Sequence, residues 1–417
     1  MKRPRPLPVL PTALDASNRK YLPLAEAREK DERYRPMYAV WETTLRCDLA
    51  CRHCGSRAGV ARHNELTTAE CLDVVRQLAE LGTKEVVVIG GEAYLRDDWL
   101  DIIREINKFG MMSNMTTGAR GITRELAKAG AQAGIRNVSV SIDGDEATHD
   151  RLRGVKGSYK AAVDALGFLR EAGIRVGVNS QINRLSLPYL PHILEQMIAD
   201  KVVGWQIQLT VAMGRAADEP DILLQPYDLL ELFPLLGELE AKARKHNIYV
   251  SAGNNIGYFG PYEDQLRGRS LKGHHMSCGA GRGTIGIEAD GTIKGCPSLT
   301  TKSWAGGNVR QHSIKEIWER SLPLRYTRDR TVEDLWGYCR TCYYADECRA
   351  GCTWTAETLF GKPGNNPLCH HRALEMDRMG KRERLVQKQA PPGEPFDHGV
   401  FEIVVEDKPV TSGSTSA

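Results

Sequence analysis

Three cysteines stand in one short segment of the chain, CDLACRHC, at Cys47, Cys51 and Cys54. Structural zinc sites normally close with four protein ligands, and iron–sulfur cubanes normally take four thiolates. A loop of three thiolates therefore predicts a metal centre with one open position for an exogenous ligand. His53 is the alternative fourth ligand, but its place beside Cys54 directs it away from such a centre. We expect this histidine to be solvated or to lie behind the ligands.

A second group of seven cysteines lies further along the chain. A pair of structural zinc sites is the alternative to iron–sulfur clusters here, but seven ligands cannot complete two four-cysteine zinc sites. The remaining cysteine, Cys71, lies in the helix-like stretch TTAECLDVVRQLAELG, where we expect a small buried hydrophobic residue. The seven cysteines of the second group are Cys278, Cys296, Cys339, Cys342, Cys348, Cys352 and Cys369.

The chain has eleven cysteines and a formal net charge of +3 over 417 residues. Because it is long and shows no signal peptide, its clustered cysteines indicate metal ligands in a reducing compartment and not disulfides. So small a net charge indicates no nucleic-acid partner. No run of about 18 consecutive apolar residues occurs, so we expect no membrane partner and a soluble, cytoplasmic protein.

The elements that must position these cysteines alternate between strands and helices over residues 38–247. Six short β-branched runs are each followed by an amphipathic segment, and several of these segments end in glycine. This pattern predicts the α/β class and a partial (β/α)6 barrel similar to a TIM barrel, with functional groups at the C-terminal ends of the strands. The six predicted strands are YAVWETTLR, EVVVIGG, MMSNMTT, NVSVSID, RVGVNSQI and WQIQLTV.

Composition divides the chain into four parts. An N-terminal extension, 1–37, precedes the barrel, and a region rich in glycine, cysteine and polar turns, 248–378, follows it. That region contains the hairpin-like segment TIGIEADGTIKGC. The final part, 379–417, is polar and rich in proline and serine, so we expect it to be a mobile C-terminal tail.

Two motifs that follow predicted strands accompany the three-cysteine loop. Gly90-Gly91-Glu92 follows the second strand, and the segment SIDGDEATHDRLRG follows the fourth. With these motifs the chain resembles the radical S-adenosylmethionine (radical SAM) superfamily, whose defining motif is the CxxxCxxC loop. Ala93 stands where the family often has proline. The resemblance implies that the loop holds a 4Fe–4S cluster and that the enzyme binds S-adenosylmethionine.

The resemblance also implies how the cofactor is bound. The Gly-Gly-Glu motif would hold the amino group of its methionine moiety. Ser141 would contact the ribose region and Arg153 the carboxylate, roles that suit a strand-end hydroxyl and an arginine fork. In the alternative interpretation, Ser141 caps locally and Arg153 pairs with Asp143 or Asp150. Further strand-end candidates, for which a structural role is the alternative, are Thr116, Asn179 and Arg215.

The chemistry that the resemblance implies uses the open iron position. The amino and carboxylate groups of methionine chelate the iron, an electron enters through the cluster, and the sulfonium C–S bond breaks. The products are methionine and a 5′-deoxyadenosyl radical, so the cofactor performs the hard step. The barrel excludes water and positions one substrate C–H bond beside the radical.

The second cysteine group matches the pattern of the SPASM extension of the same superfamily, including a GxxxxC segment and Cys-x2-Cys-x5-Cys-x3-Cys. The resemblance implies two auxiliary iron–sulfur clusters. Because the first has only three cysteines, it is either open at one position, with a cubane or a 2Fe–2S core, or completed by His274 or His275; we favour the open position. By resemblance, Cys278, Cys296 and Cys352 hold the first cluster, and Cys339, Cys342, Cys348 and Cys369 hold the second.

The chain most resembles SPASM enzymes of the quinone-cofactor and mycofactocin type. We therefore predict an oxidoreductase that makes a cross-link or other oxidative change in a ribosomally made peptide. An enzyme that modifies a tetrapyrrole or another small molecule is the first alternative, and an iron–sulfur electron carrier is the second. A sulfatase-type maturase is disfavoured, because Pro297 and Ser298 follow Cys296 where such relatives carry an aspartate base close by.

The implied partners are a precursor peptide and a reductant such as flavodoxin or ferredoxin. Some maturases carry a fused peptide-binding domain ahead of the barrel. The 37 residues before the first predicted strand are too few for such a domain. We therefore expect a separate peptide-recognition protein.

Overall fold

A ten-stranded sheet forms the centre of the computed structural model, which describes residues 21–257, 259–268, 274 and 277–409. The strands, in chain order, are β1 (Tyr38–Glu42), β2 (Glu85–Ile89), β3 (Met112–Thr117), β4 (Asn137–Ser141), β5 (Arg175–Ile182), β6 (Gly204–Leu209), β7 (Tyr249–Ala252), β8 (Thr284–Ile287), β9 (Thr292–Lys294) and β10 (Gly307–Asn308). Across the sheet their order is β10-β9-β8-β1-β2-β3-β4-β5-β6-β7. β10 and β7 are its two edges, so the barrel is open.

The six predicted strands are present as β1 to β6, and they pair in parallel. Alternate side chains of a strand point to opposite faces of the sheet. On β5, Val176, Val178 and Ile182 are buried in the core, whereas Asn179 and Gln181 line an interior cavity. The predicted α/β class and the partial barrel are therefore confirmed.

Helices cover the outer face of the sheet. α1 (Thr68–Glu80) begins with a capping box, in which the side chains of Thr67 and Glu70 each accept a hydrogen bond from the other's backbone N–H. Cys71 and Val75 are buried on this helix, so Cys71 is a small core residue as predicted. The helices that follow are α2 (Trp99–Lys108), α3 (Arg124–Ala133), α4 (Glu146–Arg153), α5 (Ser158–Glu171), α6 (Leu190–Ala199), α7 (Arg215–Asp218), α8 (Leu229–Lys245), α9 (Glu263–Arg267), α10 (Thr301–Trp304), α11 (Ile314–Arg320), α12 (Leu322–Asp329), α13 (Tyr338–Thr341), α14 (Ala345–Cys348), α15 (Thr353–Phe360) and α16 (His370–Arg378).

None of the helices in the described part of the chain combines the length and the apolar composition that a membrane span requires.

The sheet continues past residue 247, the predicted end of the barrel. β7 pairs with β6, and β8 pairs with β1, so one strand on each side extends the six-stranded core. The predicted hairpin in TIGIEADGTIKGC is present as β8 and β9, which pair antiparallel. β7 has only four residues, which is too few for a periodic pattern to be recognised in the sequence.

The C-terminal part of the chain is folded over most of its described length, which corrects the expectation of a mobile tail over 379–417. β11 (Lys381–Gln389) and β12 (Val400–Asp407) pair as an antiparallel hairpin. Residues 410–417 of the predicted tail lie outside the described residues.

A few anchors hold this hairpin against the rest of the protein. Leu385 and Phe401 are buried. Glu383 on β11 forms an ion pair at 2.6 Å with Arg372 on α16, and both side chains are shielded from solvent. These buried residues could not be recognised in the sequence, because the segment around them is polar and most of its other side chains face water.

Part of the N-terminal extension packs on the cysteine-rich region. Asp31 is buried and pairs with Arg325 and Arg328 of α12 at 3.0 Å each, and with Arg28 at 2.6 Å. Burial alone would raise the pKa of Asp31, but hydrogen bonds from Arg28 and Arg328 outweigh it and hold the pKa below its ordinary value. Residues 1–20 of the predicted extension lie outside the described residues.

Candidate active site

The three-cysteine loop follows β1, and its thiols line a cavity of about 200 Å³ at the C-terminal ends of the strands. The cavity also has walls from the loops after β2 and β3, from Ser141 at the end of β4 and from Arg153 at the end of α4. The structure thus brings together all the residues predicted to bind the first cluster and S-adenosylmethionine. They are Cys47, Cys51, Cys54, Gly90, Gly91, Glu92, Ser141 and Arg153.

The Gly-Gly-Glu motif is required by a close approach of two backbone segments. The N–H of Glu92 donates a hydrogen bond of 2.8 Å to the carbonyl oxygen of Arg46. A Cβ atom on Gly91 would lie 2.2 Å from that carbonyl oxygen and 2.7 Å from Cβ of Cys47. Only glycine allows this contact, which brings the Glu92 carboxylate within 4.8 Å of the Cys47 sulfur.

The C-terminal end of α4 holds the loop from the other side. The backbone N–H of Ala50 donates to the carbonyl oxygen of Arg153 at 3.0 Å, and that of Arg52 donates to Leu152 at 2.8 Å. Gly154 ends the helix with a φ of +70°, and a Cβ atom there would lie 2.4 Å from the carbonyl oxygen of Ala50. Glycine therefore satisfies both the left-handed helix end and the close contact.

Arg153 adopts the pairing that the alternative interpretation named. Its Nη2 atom lies 2.6 Å from a carboxylate oxygen of Asp143, and its Nη1 atom lies 3.7 Å from Sγ of Cys51. Asp150 instead accepts hydrogen bonds at the start of α5. Nε of Arg153 is buried and has no partner among the described residues, so the side chain keeps one donor for a ligand.

His53 is buried and lines the cavity together with the thiols, and neither of its ring nitrogens has a hydrogen-bond partner among the described residues. Its Nε2 atom lies 3.4 Å from a carboxylate oxygen of Asp143. Burial lowers the pKa of His53 to about 4, although Asp143 opposes the shift. The ring is therefore neutral, and of the two positions expected for it the solvated one is wrong.

Glu92 is a buried carboxylate to which two neighbouring groups donate hydrogen bonds. It accepts hydrogen bonds from Oγ1 of Thr117 and from the backbone N–H of Gly118, the latter at 2.7 Å. Burial raises the pKa of Glu92 to about 7, against the lowering effect of these two bonds. A cationic group beside it would favour its charged form.

Two thiols of the loop, those of Cys47 and Cys51, have raised pKa values in the metal-free chain. Burial and the nearby charge of Glu92 raise the pKa of Cys47 to about 12. Burial raises the pKa of Cys51 to about 11, although Arg153 lowers it. Metal binding at such a site releases protons, because the ligands are thiolates.

A larger cavity of about 460 Å³ adjoins the first one and extends into the barrel. The two share wall residues, including Thr116, Asn179 and Gln181, so they lie side by side. Thr116 and Asn179 are thus strand-end candidates that line the site. Arg215 instead donates hydrogen bonds to the backbone of the cysteine loop, at the carbonyl oxygens of Cys51 and Ala58.

The seven cysteines of the second group fall into two sets, which are the same sets that the resemblance implied. Three of them form part of the wall of the larger cavity, and four line a separate cavity of about 30 Å³. The three are Cys278, Cys296 and Cys352. The four are Cys339, Cys342, Cys348 and Cys369.

His274 does not lie in the wall of the larger cavity. Its Nδ1 atom lies 2.8 Å from a carboxylate oxygen of Glu263, and its ring contacts Phe259 and Tyr344. His275 lies outside the described residues.

The segment between β11 and β12, residues 390–399, closes one side of the larger cavity; we call it the C-terminal connection. The ring of Phe396 lines the cavity. The N–H of Phe396 donates to the carbonyl oxygen of Gly55, and Asp397 accepts from Nε of Arg57 at 2.9 Å. No sequence signal identified this wall, because the segment reads as a polar, proline-rich tail.

Sequence reasoning also missed several strand residues that line the larger cavity. Glu42 ends β1, and Gln206 and Gln208 lie on β6. The alternation in WQIQL carried a signal for the two glutamines, since residues two apart on a strand share a face. Glu42 gave no such signal, because its position at a strand end is shared by many structural residues.

Comparison with known proteins identifies two domains. The model of the radical SAM superfamily matches residues 41–192, and the model of the SPASM iron–sulfur cluster-binding domain matches residues 278–343. An AdoMet-dependent heme synthase of Nitratidesulfovibrio vulgaris is 28% identical over 81% of this chain and 93% of its own. The mycofactocin maturase MftC of Mycolicibacterium smegmatis is 28% identical over 82% of this chain and 86% of its own.

The same fold occurs in solved structures. The crystal structure of Streptococcus suis SuiB bound to the precursor peptide SuiA superposes with a TM-score of 0.60. The match covers 82% of this chain and 76% of SuiB, at 16% sequence identity. At this identity the likeness concerns the fold.

Proposed function

We propose, from the radical SAM and SPASM domains that this chain carries, that it is a maturase that makes a cross-link or other oxidative change in a ribosomally made peptide. The observation that carries the proposal is the shared wall of the two cavities. A substrate in the larger cavity would lie between the three-cysteine loop and the set Cys278, Cys296 and Cys352. That arrangement suits removal of a hydrogen atom on one side and departure of an electron on the other.

The donor set of the loop fits an iron–sulfur cluster. Cys47, Cys51 and Cys54 offer three soft sulfur ligands around one cavity. When bound there, a 4Fe–4S cluster with S-adenosylmethionine supplies the 5′-deoxyadenosyl radical that starts the reaction. The loop's own task is to leave one metal position free of protein ligands.

Three side chains of the smaller cavity are proposed to hold S-adenosylmethionine. The buried carboxylate of Glu92 would pair with the ammonium group, which would stabilise its charged form. Ser141 would offer its hydroxyl group to the ribose. Arg153 would donate through Nε to the carboxylate, while Asp143 fixes the orientation of the guanidinium group.

The two cysteine sets of the second group are proposed to hold the auxiliary clusters. The set of three at the cavity wall would hold the first cluster, and the set of four would hold the second. The bond between His274 and Glu263 supports an open position in the first cluster, because it engages His274 elsewhere. A group of the substrate could then reach the metal from the cavity.

Modification of a tetrapyrrole is the second candidate function. It is favoured by the similarity to the AdoMet-dependent heme synthase, which is as strong in identity as the similarity to MftC. An iron–sulfur electron carrier is a weaker candidate, because it would need no interior cavity beside the three-cysteine loop.

The test is anaerobic incubation of the reconstituted enzyme with short peptides encoded beside its gene, together with any small recognition protein encoded there. Flavodoxin, ferredoxin or dithionite would supply electrons. We expect one peptide to lose the mass of two hydrogen atoms as 5′-deoxyadenosine accumulates. Conversion of a porphyrin, with every such peptide unchanged, would contradict the proposal and favour the second candidate.

A further inference from the structure

Four amide side chains stand in pairs on the inner face of the sheet. Asn179 and Gln181 on β5 are the register partners of Gln206 and Gln208 on β6. All four line the larger cavity, and the residues that alternate with them are buried. We call these four side chains the amide ladder.

One atom of the amide ladder lacks a partner. Oδ1 of Asn179 is buried and accepts no hydrogen bond from the residues that the structure describes. Asn255, another amide of the cavity wall, is satisfied, because it exchanges two hydrogen bonds with the backbone of Leu209. Since an unsatisfied buried acceptor is unfavourable, the Asn179 amide is suited to binding a donor from the cavity.

The spacing of the amide ladder matches an extended peptide. Residues two apart on a strand are separated by about 6.6 Å, and the peptide groups on one side of an extended chain repeat at the same distance. A side-chain amide carries both donors and an acceptor, as does a peptide group. Two rows of amides at this spacing can therefore bind consecutive same-side peptide groups of one segment.

The charges of the wall disfavour an anionic ligand. Among the described residues, the cavity is lined by the carboxylates of Glu42 and Glu288 but by no lysine or arginine. Two cations behind the wall are already paired: Lys294 lies 2.8 Å from Glu288, and Arg62 lies 3.1 Å from Glu42 and 2.9 Å from Glu288. Carboxylates of a ligand would lose their hydration here without gaining a free cation.

The amide ladder also reaches the site of the radical chemistry. Asn179 and Gln181 line both cavities, together with thiols of the cysteine loop in the smaller one. A segment bound along the ladder would therefore present one of its residues at the junction.

We propose that the amide ladder binds the main chain of an uncharged, extended segment of the peptide substrate. This inference rests on the proposed peptide-modifying function and assigns it a binding surface. The same surface rejects tetrapyrroles that carry several carboxylates. The peptide's side chains next to the ladder are neutral. The only charged groups of the described wall are the two carboxylates, and both are already paired with cations behind it.

The test uses the holoenzyme, immobilised under anaerobic conditions with S-adenosylmethionine. A positional-scanning library of short peptides, acetylated and amidated at their ends, is passed over it, and the retained peptides are quantified by mass spectrometry. Binding of iron coproporphyrin III, a polycarboxylate, is followed in parallel by absorbance. The variants are Asn179→Leu with Gln206→Met, which removes one pair of the ladder, and Gln311→Met, a matched change at an exposed residue.

We expect the wild type and Gln311→Met to retain the same neutral peptides. The amount of peptide that the double variant retains should be lower by a factor of about ten or more. None of the three proteins should bind the porphyrin. Equal retention by the double variant, no retention by the wild type, or porphyrin binding that displaces the peptides would overturn the proposal. If the double variant does not fold, as judged by its iron content and circular dichroism, Gln181→Met with Gln208→Met replaces it.

The outcome also separates this inference from the proposed function. If the enzyme modifies its peptide and the ladder variants have an unchanged KM, the amide ladder is not the binding surface, while the peptide function stands. If the wild type converts the porphyrin and no peptide, both are wrong.

Discussion

Nη1 of Arg153 lies 3.7 Å from Sγ of Cys51, although the two residues are 102 positions apart in the chain. The other terminal nitrogen pairs with Asp143, so the guanidinium group is fixed between a buried carboxylate and a thiol. A donor of this kind stabilises negative charge on a sulfur ligand. Arg153 therefore contacts a cysteine of the loop without being a metal ligand, in addition to its proposed contact with the cofactor carboxylate.

Replacement of a loop cysteine should abolish cleavage of S-adenosylmethionine. In Cys47→Ala, Cys51→Ala or Cys54→Ala, the incomplete loop cannot present an open iron position. Formation of 5′-deoxyadenosine by the anaerobically reconstituted, reduced protein is the measurement. Cys71→Ala is the matched control, because Cys71 is a buried core residue away from both groups, and it should keep normal activity. Normal cleavage by any of the loop variants would show that the ligand assignment is wrong.

Glu92→Gln and Arg153→Gln should weaken binding of S-adenosylmethionine while iron content stays near normal. Each removes a charge-assisted hydrogen bond worth about 1.5–3 kcal/mol, which corresponds to a rise in Kd of about 10- to 150-fold. Equilibrium dialysis with the labelled cofactor gives the Kd. Glu85→Gln, at the other end of β2, is the control and should leave the Kd unchanged. Unchanged affinity in both test variants would refute the proposed contacts.

Metal analysis should find about twelve iron atoms per chain if all three clusters are cubanes, or about ten if the first auxiliary cluster is 2Fe–2S. Cys348→Ala should remove the second auxiliary cluster alone, because Cys348 lines the cavity of the four-cysteine set. Its iron content should fall by about four atoms. A wild-type protein with only about four iron atoms, and zinc at the C-terminal cysteines, would contradict the assignment of auxiliary clusters.

Asp31→Asn should destabilise the protein by about 3–5 kcal/mol, because it removes the buried carboxylate that pairs with Arg325 and Arg328. The free energy of unfolding is measured by anaerobic denaturation in guanidinium chloride. Asp329→Asn removes a more exposed partner of Arg28, so this control should cost less than about 1 kcal/mol. Equal effects of the two variants would contradict the special role of Asp31.

The same aspartate predicts a pH dependence. Its pKa is lowered in the folded protein, so its contribution is fully present above the unfolded value of 3.8 and is lost as pH falls through the folded pKa. The stability difference between the wild type and Asp31→Asn should therefore shrink in acid. A difference that stays constant down to the acid limit of the folded state would contradict this.

Local spacing made much of the site predictable. Cys47, Cys51 and Cys54 lie within one loop, and Gly90-Gly91-Glu92 directly follows a strand. The residues of each motif are therefore neighbours in the sequence, and the motif can be recognised without the structure. The six strands were predictable because alternating β-branched runs are long enough to be recognised.

The remaining features depend on contacts between distant segments. The neighbours of Arg153 could be named only as two alternatives, since either aspartate was close in sequence. The burial of His53 follows from packing against Asp143, which lies on another strand end. The hairpin of β11 and β12 was missed. Leu385 and Phe401 are isolated apolar residues in a polar segment, and their burial can be predicted only when the surface against which they pack is known.

Phe396 lies beyond residue 343, where the match to the SPASM domain ends, yet its ring is part of the cavity wall. A shortened protein that ends after α16 would keep every cysteine of both groups and could still be loaded with iron. One side of its reaction chamber would be open, so buffer molecules would donate hydrogen atoms to the radical from their C–H bonds and dioxygen would reach the clusters more readily. Such a protein would consume its cofactor in futile turnover, and its metal content would not reveal the defect.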